Sequence, residues 1–149
     1  MKETIARLQQ VVESVPPRLL ALGEEGSRVR RKPDAWSRKQ ILGHLIDSAS
    51  NNHQRFVRGQ LGAEVNFPAY DGVGFVAVQG YEDEPWEALV ELWRAYNRHL
   101  VHVMARVPPE KFGHVVRSGP TEPGTLGDHM KDYVVHLERH LAQVFEGGA

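Results

Sequence analysis

Apolar residues return every three or four positions through most of the chain, the spacing that gathers them on one side of an α-helix. Ile5, Leu8, Val12, Val15 and Leu19 trace the first such stripe, so a helix is expected from Lys2 to about Leu22. Pro16 and Pro17 fall inside it. Proline has no amide hydrogen and its ring crowds the preceding turn, so the run should break or kink there. Gly23 and Gly26 are expected to end it, and a loop leads on to Trp36. A second stripe starts after Ser37, which can cap the helix while Gln40 reaches back to it. It continues to about Arg58, with Gly59 and Gly62 as stop signals. The third stripe, from about Glu84 to Arg106, carries Leu89, Leu92, Trp93, Tyr96, Leu100 and Val103 on its apolar side. Pro85 suits its first turn, and Glu84 and Glu87 suit its positive end. Pro108 and Pro109 close it. A fourth helix opens at Pro123 or Thr125 and stops before Gly147 and Gly148.

Two long connections separate these runs. Residues 60–82, "QLGAEVNFPAYDGVGFVAVQGYE", are rich in glycine, with a short helix expected around Gly74 to Gln79. A connection this long inside a compact domain often covers a site. The second, "EKFGHVVRSGPTEPG", has room for a turn or a short hairpin. Four long helical runs with little strand signal predict an all-α chain, one domain over residues 1–149, built as a four-helix bundle with long crossover loops.

Composition narrows the function classes. With 149 residues the chain can bury a sizeable core, and its formal net charge of -1 gives no general attraction to nucleic acid or to an acidic membrane. The basic cluster Arg28, Arg30, Arg31 and Lys32 reads as a solvated loop. The start, "MKETIARLQQVVESV", is charged and amphipathic rather than a secretion signal, and no apolar run approaches the ~20 residues of a membrane span. A cytoplasmic address is expected. The absence of cysteine excludes thiolate ligands, disulfides and cysteine nucleophiles, which turns attention to the eight histidines.

Their placement is informative. In the second helix His44, Ser48, Asn51 and Arg55 share a stripe that borders the apolar face of Ile41, Leu42, Leu45, Ala49 and Phe56. In the fourth, His129, Asp132, His136 and His140 do the same beside Met130, Tyr133, Val134, Leu137, Leu141 and Val144. Bundles build metal sites where such stripes meet. Histidines four apart project side by side, about 5–6 Å apart at Cβ, and their nitrogens can converge on one ion. His136 and His140 are such a pair. A pair with this spacing is also found as two half-exposed, hydrogen-bonded rings, and His44 strengthens the metal reading only if the second and fourth helices are neighbours. Imidazole ligands suit zinc, nickel, copper or iron. Around them, Asp47 and Gln143 are placed to orient a ligand ring, or are ordinary helix polar residues. Asn51 and Arg55 could hold an anionic group of a substrate, or form a buried polar network. Tyr70 could act as an acid or position a substrate if its loop covers the metal, and is otherwise a packing residue. His129, about 10 Å along the helix from His136, suits a pocket rim. His53, His99, His102 and His114 are expected to be structural or exposed.

"WSRKQILGHLIDSA" and "TLGDHMKDYVVHLERHLAQV" together resemble the second-helix and fourth-helix motifs of the DinB-like superfamily, small bacterial four-helix-bundle metalloenzymes, and the resemblance runs from about Trp36 to Val144. It implies an up-down-down-up bundle, often dimeric, with a divalent metal, zinc or nickel foremost, on one histidine of the second helix and two of the fourth. By motif position these are His44, His136 and His140. Many members have a further histidine just before the last ligand; here Arg139 stands there. Characterised members include S-transferases that use a low-molecular-weight thiol, bacillithiol, mycothiol or glutathione, and a thiol-dependent isomerase. The resemblance therefore favours a thiol S-transferase acting on a small electrophile. The alternatives are a metal-dependent hydrolase and a non-catalytic metal-binding stress-response module. A DNA-associated role finds no reading motif.

Overall fold

The Pro16-Pro17 pair divides the first helical run. In the computed structural model, which describes residues 1–119 and 123–146, α1 spans Lys2–Ser14 and α2 spans Pro16–Leu20. Gly23 and Gly26 do not end the run as expected. Gly23 takes a φ of 63°, which favours glycine, and the chain turns there into one more short helix, α3, Gly23–Ser27. Gly23 redirects the helix instead of stopping it.

The remaining long helices start where their caps predict. Before α4, Arg38–Arg58, the Ser37 hydroxyl accepts from the Gln40 amide at 3.1 Å while the Gln40 side chain accepts from the Ser37 amide at 3.0 Å. This reciprocal pair satisfies two amide hydrogens that the first turn cannot. The first long connection then holds β1, Glu64–Phe67, and α5, Gly72–Gln79. Asp71 caps α5 by accepting from the amides of Val73 and Gly74. A 3₁₀ turn, Tyr81–Asp83, leads to α6, Trp86–Ala105, with Pro85 standing just before the helix as its cap residue. After β2, Val115–Ser118, and β3, Gly124–Thr125, comes α7, Leu126–Glu146. Thr125 caps it: its hydroxyl accepts from the Asp128 amide at 3.1 Å and donates to the Asp128 carboxylate at 2.7 Å. The expected stop at Gly147 and Gly148 lies outside the described residues.

Packing follows the apolar stripes. α4 lies against α6 and α7, and α1 against α6 and α7. Leu8, Leu42, Leu45, Phe56, Trp93, Leu100, Met130 and Leu137 are buried at the centre. Each such side chain contributes about 1.5–3 kcal/mol of burial. The α6 face differs from its expected form: Leu92 is 47% exposed, while Trp86, Val90 and Met104 join the core. The Trp86 indole donates to the Leu19 carbonyl at 2.8 Å and ties α2 to α6.

Helices dominate, as expected, but the all-α reading missed a sheet. β1 pairs in parallel with β2, and β2 pairs antiparallel with β3. The second connection is thus the hairpin foreseen as one option, with Pro120, Thr121 and Glu122 outside the described residues. The parallel partner comes from the first connection and gives no local sequence signal. No described helix is long and apolar enough to cross a membrane. Arg28 and Arg30 of the basic cluster are paired with Glu24 and Glu82.

Candidate metal centre and its pocket

The stripes on α4 and α7 face each other. His44 meets His136 and His140 at one end, and Phe56 packs on Tyr133 towards the other, so these two helices run in opposite senses. The condition that spacing alone left open, that the second and fourth helices be neighbours, is met. The three rings form one cluster, with centroids 5.1 Å (His44–His136), 4.8 Å (His44–His140) and 4.4 Å (His136–His140) apart. One nitrogen from each lies within 4.8 Å of the others.

The donor set fits a metal ion. The Nε2 atoms of His44 and His136 are 3.2 Å apart, and two nitrogens bound at ~2.0–2.1 Å with a near-tetrahedral angle stand ~3.3 Å apart. The Nδ1 atoms of His44 and His136 are buried without a partner among the described residues. His140 differs. Its Nδ1 lies 2.8 Å from Gln143 Oε1, and an amide oxygen there places the proton on Nδ1 and leaves Nε2 a free lone pair. The rings are also neutral at pH 7, as ligands must be. Burial, followed by repulsion from His140 and then Arg139, pushes His44 down to about 4. Burial, followed by His140 and His44, pushes His136 down to about 4. Burial lowers His140 as well, partly offset by Gln143.

The remaining predicted residues sort by position. Gln143 is in contact with the cluster, as expected. Asp47 is buried but bonds to no histidine. Its Oδ1 accepts from the Tyr81 hydroxyl at 2.7 Å and from Gln79 at 2.6 Å, and its Oδ2 has no partner among the described residues. Burial raises its pKa against these two bonds. It therefore fastens the end of the first long connection to α4. Asn51 donates to the Asp47 carbonyl at 2.9 Å and is not among the residues lining the pocket beside His136. Arg55 and Tyr70 do line that pocket, of about 360 Å³, together with His136, Ser48, Asp132 and Tyr133. Burial raises the Tyr70 phenol, so it keeps its proton at neutral pH. His129 sits on the pocket wall and meets the Val116 carbonyl at 3.0 Å. His114 bonds to the Gly59 carbonyl and His53 to Tyr96. A larger cavity of about 540 Å³ lies between α1 and α6 and includes none of the three clustered histidines.

Sequence reasoning missed two contacts to His44. The Trp36 ring lies 5.1 Å from its ring, centroid to centroid. Gly72 approaches so closely that a Cβ there would stand 3.3 Å from His44 Cε1. The glycine-rich composition of the first connection was the available signal for a close approach. It also missed Ser118, which reaches the pocket from β2.

A model of the DinB superfamily matches residues 1–144. Among solved structures, YfiT from Bacillus subtilis, described as a probable metal-dependent hydrolase with an unusual four-helix bundle topology, superposes with a TM-score of 0.76. The match has 21% identity and covers 99% of this chain and 87% of YfiT. At that identity the likeness speaks for the fold. No curated protein matches the chain.

Proposed function

The chain belongs to the DinB superfamily, and on that premise we propose that it is a metal-dependent hydrolase of a small molecule, with a divalent ion held by His44, His136 and His140. The observation that carries this reading is the convergence of three neutral imidazoles from two helices beside a polar pocket. A bound ion supplies a Lewis acid and lowers the pKa of a water that reaches it. Hydrolysis consumes one water per bond cleaved, its hydroxyl going to the electrophilic atom and its proton to the leaving group. Gln143 holds the tautomer of His140. Trp36 packs on His44 and keeps that ring in place. Asp132 is the carboxylate among the pocket's lining residues and stands one helical turn from His136, a suitable place for a proton acceptor. Tyr70, protonated, can donate to an oxygen on which negative charge grows. The description of YfiT as a hydrolase agrees with this reading. The up-down-down-up course of the bundle, with the two long connections as crossovers, belongs to the same proposal.

A thiol S-transferase is the second reading and rests on the family resemblance. One experiment separates them: the zinc- or nickel-loaded chain is assayed against chromogenic esters and amides without thiol, and against alkyl halides with glutathione or bacillithiol. Metal-dependent turnover without thiol, lost in His140→Ala, supports the hydrolase. Turnover that needs the thiol replaces it with the transferase. Bound metal with neither activity leaves the metal-binding module and overturns the enzyme reading.

A further inference from the structure

Arg55 projects into the same pocket that contains His136, from the far end of the α4 stripe. Its guanidinium is half-buried and donates to two neutral oxygens, Ser118 Oγ at 2.6 Å and Asn52 Oδ1 at 3.3 Å. Among the described residues every ion pair belongs to other cations: Arg7, Arg28, Arg30, Lys39, Arg117 and Lys131. No described carboxylate neutralises Arg55. Asp132 lines the pocket but makes no bond to it. Arginine stays charged in proteins, and a desolvated cation without a counter-ion is costly. Two of its five N–H groups are used, which leaves donors for a ligand. The Tyr70 hydroxyl lines the same pocket, as a further donor. A lone guanidinium with neutral donors around it matches an oxyanion.

We propose that Arg55 holds a carboxylate or phosphate group of the substrate, and that this group is separated by several bonds from the bond that reacts. The separation follows from the helix. Ser48, beside the histidine cluster, and Arg55 are seven residues apart on α4, a rise of roughly 10 Å. The pocket, about 360 Å³, fits a small molecule reaching from one end to the other. Asn51, paired with Arg55 in the sequence reading, takes no part, because its amide is bonded to the Asp47 carbonyl. That the anion belongs to a substrate rests on the proposed hydrolase. That Arg55 binds an anion does not.

The test uses the arginine Nε–Hε resonances of the ¹⁵N-labelled chain, first metal-free and then zinc-loaded. Inorganic phosphate and acetate are titrated separately, with acetamide as the neutral control. The Arg55 resonance should shift saturably with at least one anion, with or without zinc, and not with acetamide. The tighter anion tells phosphate from carboxylate. Arg55→Met, its fold checked from the backbone amide spectrum, should weaken binding by roughly tenfold or more, and Arg55→Lys should recover part of it. If the methionine variant does not fold, the wild-type resonance decides alone. No saturable shift with either anion overturns the proposal. So does binding that is unchanged in Arg55→Met, or that appears only with zinc, which would place the anion on the metal. If the chain takes up no zinc, the hydrolase reading fails, and the metal-free titration still decides Arg55.

Discussion

Gln143 makes the hydrogen bond that fixes a tautomer in the histidine cluster, and replacing it with leucine tests whether the cluster acts as a metal site. The side chain sits one turn beyond His140 on α7 and meets Nδ1 at 2.8 Å. Leucine keeps the length and the helix propensity, so the main loss is that bond. The His140 ring stays packed between His44 and His136, with centroids at 4.8 and 4.4 Å. Orientation is therefore largely retained, and what is lost is basicity and tautomer control. Loss of such an outer partner weakens metal binding by about 10–100-fold, and the intact packing argues for the lower end, about tenfold or 1.4 kcal/mol. The metal-free fold should lose less than about 1 kcal/mol, since the bond is neutral and half-exposed. The assay is competition for zinc against a chromophoric chelator, with Gln143→Glu beside Gln143→Leu. The glutamate variant should bind at least as tightly as wild type, because a carboxylate accepts the Nδ1 proton more strongly. Equal zinc affinity in wild type and Gln143→Leu would refute the reasoning, since His140 Nε2 would then not depend on the partner at Nδ1.

Two further outcomes follow from the packing and electrostatics. In Gly43→Ala the new Cβ would overlap the Tyr81 ring, which is held by its bond to Asp47; overpacking of this kind costs about 1–3 kcal/mol, read as a lower Tm, and Tyr81→Leu in the same chain should recover part of it. The metal-free chain should lose stability in acid: His44 and His136 have folded-state pKa values pushed down to about 4 from an unfolded value near 6.5, so the unfolded chain binds more protons in that window. Stability from these rings is complete above pH 6.5 and is lost as the pH falls towards 4, at most roughly 3 kcal/mol per ring. Urea unfolding at pH 7 and pH 4.5 checks it, and His44→Gln should flatten the dependence.

Much of this was legible because it is written in local chemistry. Ser37 with Gln40, and Thr125 with Asp128, are caps whose partners lie three residues away, so the starts of α4 and α7 can be read from short stretches. The proline pair breaks the first helix for the same local reason. His44, His136 and His140 were found because two helical stripes and a family resemblance agree. What escaped depends on distant partners. β1 pairs with β2 across some fifty residues, with Glu64 opposite Val115, and neither strand exceeds four residues. Lys39 reads as a surface residue on α4, yet it is fully buried, paired with Glu24 and donating to the Glu84 carbonyl at 2.6 Å. Asp47 was placed near the metal by its spacing from His44, whereas its bonds go to Gln79 and Tyr81 in a segment read mostly as loop. Arg55 was singled out in the sequence, but its isolation from any described carboxylate is visible only after folding.

The central claim, that His44, His136 and His140 hold a metal ion, is tested most directly by elemental analysis of the untagged chain, wild type beside His136→Ala. The account predicts about one zinc or nickel ion per wild-type chain and its loss in a variant that still folds. No metal in the wild type after incubation with either ion, or equal metal in both proteins, would contradict it and leave the three rings as a polar cluster between α4 and α7.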